Sequence, residues 1–298
     1  SHRFAPGIVI VTVDTPTGFP AGYDPQPVDD VIAALTDLPR PAQRVELVLM
    51  CTTLPEYCDS RATAVEQHGY ALSYNPVFVA QGSIVRDLQQ PSQVLIGQAD
   101  RQAGDTIAAL HESLGVVESP VYRMSRLAAE IAKLATNCLI TSKIAFANAL
   151  GDLALEVGED PRVILDAVGA DARIGTGSFR YGHGFGGPCF PRDNRALGHY
   201  ARLRGLPLLQ AEATDEMNRR HLDVEVQRYL RDYPVEECIV FEGITYKPGT
   251  DIIEESQPLA LAERIALAGR RVVIHEQPRV IEQLQARYGD LFEYRSTV

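Results

Sequence analysis

The residue best suited to chemistry in this sequence is a cysteine set among glycines. Cys189 lies in GTGSFRYGHGFGGPCFPRD at 175–193, a stretch with six glycines and no apolar period that reads as a loop throughout. A thiol becomes a nucleophile when positive charge or peptide N–H groups stabilise its thiolate, and a glycine loop can aim several N–H groups at one point. Arg192 and Asp193 follow directly. Burial as a small apolar side chain is the usual role of a lone cysteine. It fits Cys138 and Cys238, but Cys189 poorly, because its loop offers few apolar neighbours. The GHGFGG at 182–187 has the spacing of a dinucleotide-binding fingerprint, yet no strand precedes it and Pro191 follows too soon, so that reading is rejected. Lys133 and Asn137 stand one helical turn apart in a polar stripe with Arg126 and Glu130. Spacing alone leaves them as a solvated helix face or as two donors aimed at one ligand. Thr15, Thr53 and Asn75 fall at the ends of predicted strands, as turn residues or as a rim facing a ligand.

The element that must position most of these groups is a helix over 125–158. Ser125 can cap its start, no proline interrupts it, and Gly158 can end it in the left-handed conformation. Leu127, Ile131, Leu134 and Cys138 recur at helical spacing, and the second half is rich in Ala and Ser, which permits close approach of another backbone. Ala145, Ala147 and Ala149 are expected to face a second copy of the chain in a homodimer. Before this helix, buried strands are predicted at 7–13, 45–53, 71–78 and 94–97, with helices at 29–38, 60–69 and 99–113. That alternation implies a parallel α/β sheet with ligands outside the carboxyl ends of its strands. After it come helices at 160–168, 194–205 and 208–230. A second α/β run follows, with strands at 237–245, 271–275 and near 292 and helices at 258–268 and 279–288.

Composition narrows the class. A chain of 298 residues with 45% hydrophobic and 22% charged residues is globular and suggests two or three domains. The formal net charge of −11 argues against nucleic acid or an anionic membrane as partner, since both need basic patches. No apolar run approaches the ~20 residues of a membrane span, and the run at 8–13 reads as a strand and not a signal peptide. The five cysteines, at 51, 58, 138, 189 and 238, form no CxxC pair. They suit a reducing cytoplasm and supply neither a disulfide framework nor a metal site.

Taken together, the motifs resemble a family. GFGGPCFPRD at 184–193 is similar to the catalytic-cysteine signature of the nucleotide-sugar dehydrogenases, the UDP-glucose and GDP-mannose 6-dehydrogenases, differing at Pro188 and Arg192. AEIAKLATN at 129–137 resembles their central-helix motif, VDTPT at 13–17 the end of their fourth strand, and TTLP at 52–55 their Ser-Thr-Val-Pro loop. DARIG at 171–175 resembles their substrate loop and GITYKPGTD at 243–251 the start of their nucleotide domain. Three further positions depart from the pattern. Val77 and Gln81 stand where the family carries glutamates, and Glu254 stands where it carries an NAD-facing arginine.

The resemblance implies an α/β protein of two Rossmann-like domains joined by a long central helix and a helical middle domain. Residues 1–120 would be the NAD-type domain, 121–232 the helical dimerisation domain with the cysteine loop, and 233–298 the nucleotide-sugar domain. Measured against the family, the first would open at the fourth strand, beyond the GxGxxG turn, and the last would be about half built. The implied activity is NAD-dependent oxidation of the C6 alcohol of a UDP-glucose-like NDP-sugar to the uronic acid. Cys189 would be the nucleophile, Lys133 and Asn137 would stabilise the oxyanion, and Asp193, helped by Thr53, would orient or deprotonate water. Arg173 would reach the sugar of a neighbouring subunit. Arg180, Tyr181, Gly184, Phe185, Gly186, Tyr246 and Lys247 would hold the nucleotide sugar, and Val13, Thr15, Thr53 and Gln81 would face NAD. A UDP-sugar is expected to bind more strongly than NAD. The alternative is a non-oxidative or inactive NDP-sugar-binding relative that has lost the NAD site. A papain-like hydrolase is contradicted by the order of the motifs.

Overall fold

The computed structural model describes residues 7–18, 22–79, 81–116 and 118–297. By packing, the chain divides into one unit of Ser1–Thr136 with His199–Pro207 and another of Asn137–Gly198 with Leu208–Val298. This division cuts through the long helix, and the strand at 121–124, beyond the boundary expected at 120, pairs into the first unit's sheet.

In chain order the first unit contributes β1 (Ile8–Val11), β2 (Thr17–Gly18), β3 (Gly22–Tyr23), α1 (Gln26–Thr36), β4 (Val45–Leu49) and α2 (Tyr57–Gln67). It continues with β5 (Tyr70–Tyr74), α3 (Ile84–Gln89), β6 (Val94–Gly97), α4 (Arg101–Ser113) and β7 (Val121–Met124). Its sheet has the order β1-β4-β5-β6-β7. Every residue of β4 and β5 is buried, as continuous apolar strands covered on both faces must be. The one charge among them, Glu46, is paired with Arg44 at 3.0 Å. The sheet is not wholly parallel, which corrects the expectation from the alternating pattern: β5 meets β6 antiparallel through Tyr74 and Gly97. A parallel join requires a full crossover, usually a long helix. Among the described residues the β5–β6 segment has only the six-residue α3. Both α3 and the outer strand β7, which pairs parallel with β6, lie outside the predicted elements.

The long helix α5 (Arg126–Glu156) is 31 residues, or roughly 46 Å. Its ends are as the sequence requires. The Ser125 hydroxyl accepts from the Ala128 N–H at 3.2 Å, and past the end the Glu159 N–H reaches back to the Ala154 carbonyl at 2.8 Å while Gly158 takes φ 81°. At the start, a Cβ on Gly97 would lie 2.9 Å from the Ala129 Cβ, so this glycine admits α5 to the sheet. Contrary to the sequence reading of apolar runs, α5 is long and apolar enough to cross a membrane by length and composition. Its polar side chains Glu130, Lys133, Asn137 and Asn148 are nonetheless buried, and each is hydrogen-bonded within the protein.

The second unit takes the rest of α5, then α6 (Pro161–Gly169), capped by the Asp160 carboxylate, α7 (Phe190–Leu203), whose last residues pass into the first unit, and α8 (Leu209–Asp232). It closes with β8 (Ile239–Glu242), α9 (Gln257–Leu267), β9 (Val272–Glu276), α10 (Pro278–Tyr288) and β10 (Glu293–Ser296). These strands form a parallel three-stranded sheet, β10-β9-β8, whose core of Ile239, Ile244, Leu261, Ile265 and Ile274 joins Val226 of α8. Ala145 and Ala147 are buried within the chain, Ala147 in a cluster with Leu165 and Phe179. This corrects the expectation that both alanines face a second copy. The outward residues of this half of α5 include Leu139, Phe146, Ala149, Leu153 and Leu155.

Candidate active site

Helix α7 begins at Phe190, inside the stretch read from sequence as loop. Pro191 is no obstacle there, because residues of the first helical turn have no intrahelical use for their N–H. The Cys189 carbonyl accepts the Asp193 N–H at 2.8 Å, which makes Cys189 the residue that caps the helix. Its thiol is exposed, at the end of a helix whose free N–H groups and dipole favour an anion. Asp193 follows one turn later and is 1% exposed. Asn137 of α5 donates its Nδ2 to Asp193 Oδ2 at 2.7 Å, and the Arg192 Nε lies 3.8 Å from Asp193 Oδ1. At the next residue of α5, the Cys138 thiol lies 3.6 Å from the Asp193 carbonyl oxygen. Burial, then the charges of Asp193 and Asp215, push this thiol up to about 12, so it stays protonated where Cys189 is exposed.

The glycines before Cys189 are needed for close approach. A Cβ on Gly184 would lie 2.4 Å from Asn218 Oδ1, and one on Gly186 2.2 Å from the Glu255 carbonyl oxygen. One on Gly187, at φ 80°, would lie 2.4 Å from the Tyr246 ring. Between them, Asn218 of α8 clamps the backbone of buried Phe185, accepting its N–H and donating to its carbonyl, both at 2.9 Å. Tyr246 thereby comes beside the cysteine loop, and burial followed by the proximity of Cys189 raises its phenol above the ordinary tyrosine value. Lys247 lies with its Nζ 5.7 Å from the Tyr246 ring.

Further back the loop rests on a polar network. His221 of α8 is 2% exposed; its Nδ1 lies 2.7 Å from Asp152 Oδ2, its Nε2 2.8 Å from the Gly182 carbonyl and 3.5 Å from Glu225 Oε2. Tyr181 donates its hydroxyl to Asp152 Oδ1 at 2.8 Å and accepts from Arg228 at 2.6 Å. Burial opposes a charge on His221, but Asp152 and Glu225 outweigh it and hold its pKa above the ordinary histidine value. Arg180 is exposed next to this network. Arg173 is exposed and paired with Asp171 of its own loop at 2.6 Å.

The remaining expected residues belong to the first unit. Val13 and Thr15 follow β1, Thr53 follows the neighbouring β4, and both threonines are buried, so two hydroxyls sit past the carboxyl ends of adjacent parallel strands. Gln81 is exposed. Lys133 is buried, donating to the Val77 carbonyl at 2.8 Å with its Nζ 4.3 Å from the centre of the Phe78 ring. Asn75 is committed elsewhere: it donates to the Leu95 carbonyl at 2.7 Å and meets His111 Nε2 at 2.8 Å, which makes it structural. Sequence reasoning missed Asn218, His221, Asp152 and Glu255. For Asn218, His221 and Asp152 the only signal was their type, since such polar residues in a helix interior are poor helix formers without a partner; Glu255 lies in a turn and left none.

Two family models match, the UDP-glucose/GDP-mannose dehydrogenase NAD binding domain over residues 3–115 and the central domain over 127–220. The chain belongs to the UDP-glucose/GDP-mannose dehydrogenase family. It is similar to the UDP-glucose 6-dehydrogenase of Pseudomonas aeruginosa, 30% identical over 95% of this chain and 64% of that protein. It is also similar to the UDP-glucose 6-dehydrogenase of Haloferax volcanii, 32% identical over 75% of this chain and 52% of that protein. Among solved structures, a UDP-glucose dehydrogenase from Pyrobaculum islandicum is 28% identical with a TM-score of 0.85, over 97% of this chain and 68% of that one. The chain therefore spans between half and two-thirds of the curated relatives it matches. Within this dehydrogenase family, the cysteine-bearing helix and its Asn137–Asp193 pair fall at the C-terminal portion of the central-domain match and at its start.

Proposed function

We propose that this chain acts in the NAD-dependent oxidation of the C6 alcohol of a nucleotide sugar of the UDP-glucose kind to the uronic acid. The observation that carries the reading is the exposed thiol at the N-terminus of α7 with a buried carboxylate one turn behind it, held by Asn137. Val13, Thr15, Thr53 and Gln81 would hold NAD; the buried hydroxyls of Thr15 and Thr53 at adjacent strand ends fit a ligand outside the carboxyl edge of the sheet. When bound, the cofactor would accept the two hydrides released, one as the alcohol becomes the aldehyde and one as the thiohemiacetal becomes the thioester.

The work of the chain's own residues follows from their chemistry. The Cys189 sulfur bonds to C6 of the intermediate aldehyde, giving a thiohemiacetal whose oxyanion Lys133 and Asn137 stabilise. After loss of hydride the carbon is a thioester. Water attacks it, the C–S bond breaks with its electron pair on sulfur, and Asp193 takes the water's proton. Asn137 serves a second end, since its hydrogen bond orients that carboxylate. Arg180, Tyr181, Gly184, Phe185, Gly186, Tyr246 and Lys247 hold the nucleotide sugar, with Arg180 and Lys247 as the cations for its diphosphate. The acidic chain, at −11, is unsuited to nucleic acid, and its cysteines, none in a disulfide, suit a reducing compartment. A homodimer would cover the exposed Leu139, Phe146 and Leu153 of α5 and let Arg173 act on the partner's substrate.

Incubation of the chain with UDP-glucose and NAD, with products separated by mass, tests the reading. The uronic acid is expected from wild type, with none from Cys189→Ser; formation of equal amounts by both would refute it.

A further inference from the structure

The glycine loop before Cys189 is held by side chains of two helices. Asn148 of α5 accepts the Gly182 N–H at 3.0 Å and donates to the His183 carbonyl at 3.2 Å, and Asn218 of α8 holds Phe185 through its N–H and its carbonyl. Close packing brings the chain there, since a Cβ on Gly151 of α5 would lie 1.9 Å from the Tyr181 ring. His221 completes the hold through the Gly182 carbonyl, and of these contacts only this one rests on a proton that leaves near neutral pH. Both ring nitrogens of His221 face acceptors, Nδ1 the Asp152 carboxylate at 2.7 Å and Nε2 the Gly182 carbonyl at 2.8 Å. A neutral imidazole has one N–H and one lone pair and cannot serve both, whereas the imidazolium donates twice. The surrounding groups are Asp152 from α5, Glu225 and Arg228 from α8, and Tyr181 and His183 from the loop. Arg228 reaches Asp152 only through the Tyr181 hydroxyl, and the His183 Nδ1 lies 3.0 Å from Glu225 Oε1, the oxygen turned away from His221. The two carboxylates therefore prevail and favour a charged ring. When His221 loses a proton, the remaining N–H stays with the stronger, charge-assisted partner Asp152. The bare Nε2 lone pair then points at the Gly182 carbonyl and at Glu225 Oε2, 3.5 Å away, and the tie to the loop becomes a repulsion.

We propose that the imidazolium of His221 is the positioning group for residues 180–186, holding them in the conformation that takes a nucleotide sugar, so that affinity for this ligand falls when His221 loses its proton. This rests on the proposed function, which gives the loop to the nucleotide sugar. His221 itself touches no substrate and transfers nothing. Linkage is reciprocal, so the bound ligand in turn holds the proton on His221, and binding near the folded pKa takes up a fraction of a proton from solution.

The test is calorimetric titration with UDP-glucose alone, from about pH 6 to about pH 9, a range that brackets a raised histidine pKa. The diphosphate of UDP-glucose is a diester and keeps its charge throughout. Wild-type affinity should weaken roughly ten-fold across the His221 titration at constant stoichiometry, as expected when one hydrogen bond no longer holds the competent loop. In buffers of different ionisation heat, wild type should take up a fraction of a proton on binding. His221→Gln, which donates without a titrating proton, should take up none and bind with an affinity that does not change with pH. Asp152→Asn keeps the shape but removes the charge, and should move the step to lower pH. If His221→Gln does not fold, that shift decides, and an unmoved step counts against the proposal. A flat wild-type affinity overturns the role, and so does the same fall in His221→Gln, which would assign the titration to another group such as the Cys189 thiol. Stoichiometry that falls while affinity holds would show that His221 supports the fold only. Absence of UDP-glucose binding at every pH removes instead the functional reading, and this role with it.

Discussion

At the scale of single residues, the site is a set of polar groups each held by one well-placed partner. Asp193 is the clearest case, since a carboxylate 1% exposed must be compensated and Asn137 donates to it at 2.7 Å. Asn137→Ala leaves that oxygen with one fewer donor. It should destabilise the protein by roughly 1–3 kcal/mol, seen as a lower midpoint in urea at unchanged slope. An unchanged midpoint would mean that solvent or Arg192 replaces the amide at no cost. Cys189 was legible as a candidate from its glycine setting, whereas the roles of Lys133, Asn137 and Asp193 entered through the family resemblance, since spacing alone left the first two as a solvated face or a pair of donors. Partners were not legible, because a pairing such as Asn218 with Phe185, or Glu130 with Thr53, joins positions far apart in sequence and leaves no local periodic trace. Lys133 shows the limit from the other side. Its partner includes a backbone carbonyl, that of Val77, which every residue type carries.

At the scale of elements, the apolar period and the stop signals located the longer helices and strands but not β2, β3, α3 or β7, and the capped ends of α5 agree closely with Ser125 and Gly158. Strand direction was not legible. The alternation of strands and helices is the same whether β6 runs parallel or antiparallel to β5, and only the shortness of α3 separates the two. The start of α7 was hidden by glycines and Pro191, which suit a helix's first turn as well as a loop. The loop before α7 is tied to α5 and α8 through His221, and this tie has a pH signature. Because the folded pKa of His221 lies above its unfolded value, its contribution to stability is complete below about pH 6.5 and is lost as pH rises through the folded pKa. Thermal midpoints measured between pH 5 and 8 should therefore fall more steeply with rising pH in wild type than in His221→Gln. Parallel curves would contradict a protonated His221 between Asp152 and Glu225.

At the scale of the molecule, Leu139, Phe146 and Leu153 recur every seven residues and stay exposed on the second half of α5. Light scattering at micromolar concentration should give the mass of a dimer for wild type and of a monomer for Phe146→Glu with Leu153→Glu. A monomeric wild type would remove the homodimer and the action of Arg173 on a partner's substrate. The central claim is that Cys189, capping α7 with Asp193 behind it, is the nucleophile of an NDP-sugar oxidation. The most direct measurement is the intact mass of the protein after incubation with a UDP-sugar 6-aldehyde, with and without NAD. The account predicts one covalent adduct on wild type and on Cys138→Ala, whose thiol burial keeps protonated, and none on Cys189→Ala. An adduct that survives Cys189→Ala, or none on wild type with or without NAD, would contradict it.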